Sequence, residues 1–227
     1  MIVAIDGPSA SGKSTVGRML ARHLGLPLVD SGLMYRAITV LANEAGIDPS
    51  DVEALAELAR RTTVKVNTSP EEKPSWQVKV EGRDLTAQVF SAAMAPALVR
   101  VSQVPEVRTE LVKQQRRFRE GGVVMVGRDI GTVVFPDADL KLFVTASEEE
   151  RKRRRAGQMR DGNHALLKGE IEDRDAADSN RSLAPLRPAG DAHTIDTDGR
   201  SAQDVFAEIL SLIPSSQRGE AKQPGVG

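Results

Sequence analysis

The stretch "IVAIDGPSASGKST", Ile2–Thr15, joins an apolar run to a loop of small residues that ends in Gly-Lys-Ser-Thr. Gly7, Gly12, Lys13 and Ser14 have the spacing G-x-x-x-x-G-K-[ST]. The apolar run predicts a buried parallel strand, and the residues after the loop have helical spacing. A strand before the motif and a helix after it distinguish a phosphate-binding loop from a Gly/Ser turn that matches by chance.

In such a loop the backbone N–H groups point inward at a phosphate, and the following helix adds its own N-terminal N–H groups. The small residues Ser9, Ala10 and Ser11 allow the backbone to come close to the ligand. Lys13 supplies a mobile positive charge to the β- and γ-phosphate oxygens. The hydroxyl of Ser14 is the candidate protein ligand of Mg²⁺.

Composition limits the class of protein. The chain has 227 residues, of which 40% are hydrophobic and 28% charged, as in a soluble globular protein. No apolar run approaches the ~20 residues of a membrane helix, and no basic segment precedes an apolar one as in a secretory signal. Cysteine is absent, which excludes disulfides and agrees with a reducing compartment. The net charge of −1 gives no global field that would mark a nucleic-acid binder. We expect a cytoplasmic monomer with small-molecule substrates and with no nucleic-acid or membrane partner.

Strands and helices alternate along the sequence, which predicts an α/β fold with a mostly parallel sheet covered on both faces. Short apolar runs predict buried strands at Ile2–Asp6, Val123–Val126 and Leu140–Val144, and two further strands are expected at Pro27–Val29 and Ala192–Asp196. Helical periodicity is found at Ser14–His23, Leu33–Ala45, Pro49–Arg60, Ala97–Arg119, Ser147–Met159 and Ala202–Ile213. Val64–Val80 alternates instead, which predicts a small antiparallel insert. The tail from Pro214 is polar and rich in Gly and Ser, which is typical of disorder.

A phosphate loop alone indicates a nucleotide binder and not yet an activity. A regulatory GTPase would carry Asn-Lys-x-Asp and an ABC-type ATPase would carry Leu-Ser-Gly-Gly, and the sequence has neither. A small-molecule kinase needs a second anionic site lined by arginines. Three stretches place arginines beside loop-type residues: "DSGLMYR" at Asp30–Arg36, "GRDIGTVVFP" at Gly127–Pro136 and "RDAADSNR" at Arg174–Arg181.

Each of these stretches also fits a simpler interpretation. Ser31 could cap a helix, and Arg128 with Asp129 could form a surface ion pair. A solvated helix face would account for Arg174, Asp178 and Arg181. Their occurrence together after a phosphate loop favours an acceptor site over three unrelated features.

Five stretches, in this order, resemble the bacterial cytidylate kinases, ATP:CMP phosphotransferases of the nucleoside-monophosphate (NMP) kinase group. They are "IDGPSASGKST", "DSGLMYR", "VSQVPEVR", "GRDIGTVVFP" and "DRDAADSNRSLAPL", and the similarity runs from Ile2 to about Ile213. The resemblance implies a P-loop kinase core with a five-stranded parallel sheet flanked by helices, an NMP-binding insert and a short lid. We expect a single kinase domain at 1–213, with core segments 1–61 and 97–213, the insert at about 62–96 and the lid at about 151–181.

The resemblance also implies a reaction, the transfer of the γ-phosphate of ATP to CMP and dCMP with Mg²⁺. On the ATP side it implies phosphate contacts from Gly7, Pro8, Ser9, Ala10, Ser11, Gly12, Lys13, Ser14 and Thr15. The charged helix that begins at Ser147 fits a solvated surface helix, a nucleic-acid patch or the start of the lid. In the last case Arg151 and Arg155, which share a helix face, are the candidates to reach ATP.

On the acceptor side the resemblance assigns roles to residues in all three arginine-bearing stretches and in "VSQVPEVR". The CMP phosphate would be clamped by Arg36, Arg128 and Arg181, with Ser31 close to it. Cytosine would be read by Ser102, Arg108 and Asp129. The ribose would contact Arg174 and Asp178. Lys13, Arg128, Asp129 and Arg181 are the residues expected to be catalytic. An unrelated small-molecule kinase and a non-catalytic nucleotide sensor stay open as alternatives.

Overall fold

The computed structural model describes residues 1–68, 76–91, 94–160 and 185–213. Its strands are β1 Ile2–Asp6, β2 Leu28–Asp30, β3 Val64–Thr68, β4 Trp76–Val80, β5 Arg83–Asp84, β6 Val123–Gly127, β7 Leu140–Thr145 and β8 His193–Asp196. Its α-helices are α1 Lys13–Leu24, α2 Ser31–Glu44, α3 Val52–Arg61, α4 Thr86–Val89, α5 Ala95–Val101, α6 Pro105–Arg116, α7 Glu148–Arg160 and α8 Ala202–Leu212.

The main sheet has five parallel strands in the order β2-β6-β1-β7-β8. Alternate residues of the central strand β1 enter two different cores. Ile2 and Ala4 pack on the face that carries α2, while Val3 and Ile5 pack on the face that carries α1 and α8. Helices therefore cover both faces, which is why every residue of the central strands β1 and β6 is buried. The α/β fold and all five predicted strands are confirmed.

A second sheet confirms the antiparallel strands predicted at Val64–Val80, which lie within the predicted insert. Its order is β3-β4-β5, and Val66 pairs with Val78 in the antiparallel register. Both valines belong to the same buried cluster as Ile38 of α2. Gln114 of α6 holds the start of β3, because its side-chain amide donates to the carbonyl of Thr62 and accepts the N–H of Val64. The insert thus packs on α2 through apolar contacts and is joined to α6 by hydrogen bonds from a side chain to the backbone.

The single helix predicted at Ala97–Arg119 is wrong. The chain forms two helices, because α5 ends at Val101 and α6 begins at Pro105. Proline lacks an N–H and suits the first position of a helix, and it disfavours helical geometry in the residue before it. Val104 accordingly has extended dihedral angles, φ −68° and ψ 116°. The break places Ser102 at the end of α5 and turns α6 back toward the sheet.

Several expectations lie outside the described residues. They include most of the predicted lid, the tail beyond Ile213, and the substrate candidates Arg174, Asp178 and Arg181. The boundaries of the insert and the lid stay predictions. Within the described part, no helix combines the length and the apolar character needed to cross a membrane.

Candidate active site at the carboxyl edge of the sheet

The loop between β1 and α1 has the backbone geometry of a cradle. Gly7 has φ +151° and Gly12 has φ +95°, conformations that L side chains rarely adopt. A Cβ at Gly7 would lie 2.0 Å from the carbonyl oxygen of Val144, so only glycine fits there. Ala10 also has a positive φ, +58°, although it carries a side chain. A loop held in these conformations supplies the close approach that a phosphate needs.

Two polar side chains, one in the loop and one at the start of α1, fit an anion. The ammonium group of Lys13 donates to the carbonyl of Pro8 at 2.8 Å and so spans the loop, and its side chain is buried. The hydroxyl of Ser11 is fully buried and has no hydrogen-bond partner within the part of the chain that the structure describes. A buried donor without a partner is costly, and a phosphate oxygen would satisfy it. Ser14 lies in the first turn of α1, next to Lys13.

Strands β2, β6 and β1 are neighbours, so their carboxyl ends bring the acceptor candidates beside the phosphate loop. Ser31 is buried at the start of α2, directly after β2. It is not the cap of that helix, because the carboxylate of Asp30 accepts the N–H of Gly32 at 2.9 Å. A Cβ at Gly127, the last residue of β6, would lie 2.5 Å from the Ser31 hydroxyl. Glycine at this position therefore lets the end of β6 approach the start of α2 closely.

Arg36 lies in α2, one turn after Ser31, and is buried. Its Nη1 donates to the carbonyl of Val89 at 2.9 Å, which connects α2 to the end of α4. Arg128 follows β6 and is partly exposed. Arg36 and Arg128, the two arginines of the predicted phosphate clamp that lie within the described residues, thus both border the carboxyl edge of the sheet.

The three predicted cytosine contacts form one buried cluster with Tyr35. Arg108 of α6 donates to the carboxylate of Asp129 and, at 3.3 Å, to the carbonyl of Ser102. Its guanidinium also lies over the ring of Tyr35, 5.5 Å from the centroid. The surface ion pair considered for Arg128 and Asp129 is wrong for Asp129, whose carboxylate is buried against Arg108. The helix break before Pro105 is what brings Ser102 and Arg108 together.

Asp6 belongs to this site and sequence reasoning missed it. Its two carboxylate oxygens accept the N–H groups of Ile130 and Gly131, each at 2.8 Å, in the single turn of π-helix that follows Asp129. Burial raises the pKa of Asp6 to about 6, although these two N–H donors lower it. The negative charge of Asp129 raises the pKa further and the positive charge of Lys13 lowers it. Asp6 therefore connects the phosphate loop to the acceptor cluster.

Helix α7 approaches the phosphate loop from the other side. Nη1 of Arg151 lies 3.4 Å from the carbonyl oxygen of Ser9, so this predicted residue does reach the loop. The side chain of Arg155 lies outside the described residues. Arg154, which was not predicted, donates to the carbonyl of Ala10 at 3.5 Å and to the hydroxyl of Thr197 at 2.8 Å. Hydrogen bonds from Arg153 and then Arg154 lower the pKa of Glu150 to about 2.

Within the described residues, no group of three or more His, Cys, Asp or Glu side chains could hold a metal ion by itself. A hydroxyl at the start of α1 beside a phosphate cradle fits a different arrangement, in which Mg²⁺ is bound mainly by the phosphates of a nucleotide. Ser14 is the residue that would hold it.

Comparison with known proteins decides the family. A family model described as cytidylate kinase matches residues 3–215. The chain belongs to the cytidylate kinase family. A cytidylate kinase of Pelotomaculum thermopropionicum is 41% identical over 221 residues, with 95% of this chain and 97% of that protein covered. The cytidylate kinase of Symbiobacterium thermophilum is 41% identical over 215 residues, with 92% and 94% covered.

Other members of the cytidylate kinase family are longer. The bifunctional pantoate ligase/cytidylate kinase of Synechococcus elongatus is 44% identical over 227 residues, which covers 97% of this chain. The chain spans 43% of the length of that bifunctional protein. The resemblance found in the sequence motifs is thus confirmed at the level of the family.

Proposed function

We propose that this protein transfers the γ-phosphate of ATP to CMP and dCMP, giving ADP with CDP or dCDP. One observation carries the proposal. In a chain of the cytidylate kinase family, the phosphate cradle at the end of β1 lies beside the buried cluster of Ser102, Arg108 and Asp129. The proposal includes a cytoplasmic, monomeric enzyme that uses ATP with Mg²⁺.

On the donor side the chain supplies alignment and charge. The inward N–H groups of the loop and the N-terminus of α1 would bind the β-phosphate, and Lys13 would leave the Pro8 carbonyl to follow the γ-phosphate. Bound Mg²⁺ supplies further neutralisation of phosphate charge. Arg151, already at the rim of the loop, is the described α7 arginine proposed to contact ATP.

On the acceptor side no general base is needed. The second pKa of a phosphate monoester is about 6, so the attacking oxygen of CMP is largely deprotonated near pH 7. The chain has to hold that oxygen in line with the γ-phosphate and to reduce the repulsion between two anions. Arg36 and Arg128, together with Arg181, are proposed to do this with bidentate guanidinium contacts. Ser31 would lie beside the same phosphate.

The base and the sugar complete the acceptor. Cytosine presents an exocyclic amine beside acceptors, so the Asp129 carboxylate would accept from the amine while Arg108 donates to the acceptor edge. Ser102 would assist at the end of α5. Uracil has a carbonyl where cytosine has the amine, and a carboxylate repels it. Arg174 and Asp178 are proposed for the ribose.

The test is release of ADP from ATP–Mg²⁺ with CMP, dCMP, UMP and AMP offered separately to the purified protein. We expect turnover with CMP and dCMP far above that with UMP and AMP. Turnover only with a different acceptor would indicate another small-molecule kinase. Binding of ATP without turnover of any acceptor would indicate a nucleotide sensor, and either result would reject the proposal.

A further inference from the structure

Three consecutive carbonyl groups of the phosphate loop accept hydrogen bonds from side chains outside the loop. The carbonyl of Ser9 accepts from Arg151 and that of Ala10 from Arg154. The carbonyl of Ser11 accepts from the hydroxyl of Thr197 at 3.0 Å, across 186 residues of sequence. Thr197 directly follows β8 and is buried. These contacts all lie on the side of the loop that faces α7 and β8.

The direction of a carbonyl fixes the direction of the next N–H. A peptide unit is planar and trans, so its C=O and N–H point in opposite directions. When the carbonyls of Ser9, Ala10 and Ser11 are turned toward α7 and β8, the N–H groups of Ala10, Ser11 and Gly12 are turned the other way. Those are N–H groups that a phosphate would meet in the cradle. Hydrogen bonds to these carbonyl groups therefore fix the direction of the N–H groups that would bind phosphate.

Thr197 makes the shortest of the three contacts with the loop carbonyls. Arg154 donates to its hydroxyl oxygen at 2.8 Å and to its carbonyl oxygen at 2.7 Å. Because a guanidinium can only donate, the hydroxyl proton has to point at a carbonyl, either Ser11 or Thr145, which lies 3.1 Å away. The carbonyl of Thr145 already accepts the backbone N–H of Thr197 at 3.0 Å, which favours the Ser11 carbonyl as the acceptor of the hydroxyl proton.

Arg154 is in turn held by Glu150, because the Nε of Arg154 donates to the Glu150 carboxylate at 2.7 Å. A series of hydrogen bonds thus connects α7 to the phosphate loop. It runs from Glu150 through Arg154 and Thr197 to the carbonyl of Ser11, and it includes charge-assisted and buried hydrogen bonds. Arg153 also binds Glu150, but its side chain is 74% exposed.

We propose that Thr197, oriented by Arg154, is a positioning residue for the phosphates of the donor nucleotide. It does not contact the nucleotide; it holds the Ser11 peptide so that the Gly12 N–H faces the phosphates. The inference rests on the proposed function for the identity of the donor, but the loop contact can be tested without an acceptor.

The experiment measures ADP–Mg²⁺ binding by calorimetry in Thr197→Val, Thr197→Ser and the wild type. Valine keeps the shape and removes the hydroxyl, so we expect about tenfold weaker ADP binding, the loss typical of one hydrogen bond to a buried group. Serine restores the hydroxyl and should recover most of the affinity. Thr39→Val is the matched control, since Thr39 is a fully buried threonine whose hydroxyl bonds the carbonyl of Tyr35 within α2. It should leave ADP binding unchanged.

A second pair of variants covers the case in which Thr197→Val does not fold. Arg154→Gln removes the donors that orient the hydroxyl, and Arg153→Gln removes a neighbouring arginine that shares Glu150. We expect about threefold weaker ADP binding in Arg154→Gln and no change in Arg153→Gln. In turnover, the KM for ATP should rise in Thr197→Val and Arg154→Gln while the KM for CMP stays the same.

Equal ADP affinity in Thr197→Val and the wild type would overturn the inference, even if the variant melts at a lower temperature. So would a serine variant as weak as the valine variant. Both outcomes leave CMP phosphorylation by the wild type intact. A wild type that binds ADP but phosphorylates no nucleotide would reject the proposed function, and the binding comparison would still decide the role of Thr197.

Discussion

The guanidinium of Arg108 donates to the carboxylate of Asp129, and both side chains are less than a tenth exposed. A buried pair of this kind is costly to break, because either partner alone leaves an uncompensated charge. The pair connects α6 to the end of β6, so the proposed base-reading group is also a structural contact. Substitutions at this pair therefore need a measurement of stability beside a measurement of activity.

The first prediction concerns base choice. Asp129→Asn keeps the shape and the contact with Arg108, but it can turn an N–H toward the carbonyl of uracil. We expect a lower kcat/KM for CMP and a smaller ratio of the kcat/KM values for CMP and UMP. The loss of discrimination should be at most about 1–3 kcal/mol, which is the discrimination from one bidentate base contact. Asp137→Asn is the control, since Asp137 forms an exposed pair with Arg119. An unchanged CMP/UMP ratio in a folded Asp129→Asn protein would show that cytosine is read elsewhere.

The second prediction concerns the phosphate of CMP. Arg36→Lys and Arg128→Lys keep the charge but lose the planar fork, so the KM for CMP should rise about tenfold or more. The KM for ATP should change little. Arg60→Lys alters an exposed arginine paired with Glu57 and should behave as the wild type. If both variants keep normal CMP kinetics, the acceptor site lies elsewhere.

The third prediction concerns the phosphate loop. Lys13→Ala should lower kcat/KM strongly, because the lysine neutralises charge on the transferring group in a buried site. One such contact stabilises the transition state by about 3 kcal/mol or more. The fold should persist, which circular dichroism and thermal melting can check. Lys113→Ala, at an exposed lysine paired with Glu110, is the control. A rate close to the wild type would exclude Lys13 from the chemistry.

The fourth prediction concerns pH. The folded-state pKa of Asp6 is about 6, against an ordinary value of 3.8, so the folded protein binds more protons than the unfolded one between these values. Stability contributed by Asp6 is therefore present at low pH and is lost as the pH rises through about 6. The unfolding free energy of the wild type, minus that of Asp6→Asn, should fall by about 2 kcal/mol between about pH 4 and pH 7.

Urea denaturation at a series of pH values measures this difference. Asn does not titrate, so its own contacts with the N–H groups of Ile130 and Gly131 are the same at every pH and do not change the slope. Two parallel pH curves would show that Asp6 does not titrate with a raised pKa.

Much of the fold could be predicted because its signals are local. Apolar runs mark the buried strands, and the glycine spacing at Gly7 and Gly12 marks the cradle. The break between α5 and α6 was also readable, since Pro105 suits a helix start and disfavours helix in Val104. The apolar spacing of Val107, Leu111 and Phe118 masked that signal, because it continues the periodicity of the preceding segment.

The missed site residues depend on contacts between distant segments. Asp6 ends a strand, and nothing near it in sequence shows that its partners are N–H groups 124 and 125 residues away. In α7, periodicity places Arg154 and Arg155 near the same face as Arg151, so it cannot choose between them. Which arginine reaches the loop depends on how α7 is rotated about its axis relative to the end of β8. Arg154 donates to the hydroxyl of Thr197 there.

The packing of the insert against α2 determines what can move as one body. Val78 of β4 and Ile38 of α2 are both fully inaccessible to solvent and belong to one apolar cluster, and the bond from Arg36 to Val89 crosses the same boundary. Separating the two would expose that cluster, so β4 and α2 should unfold together as one cooperative unit. In native-state hydrogen exchange their amides should share one opening free energy. A closing movement of the insert would then carry the Arg36 guanidinium with it.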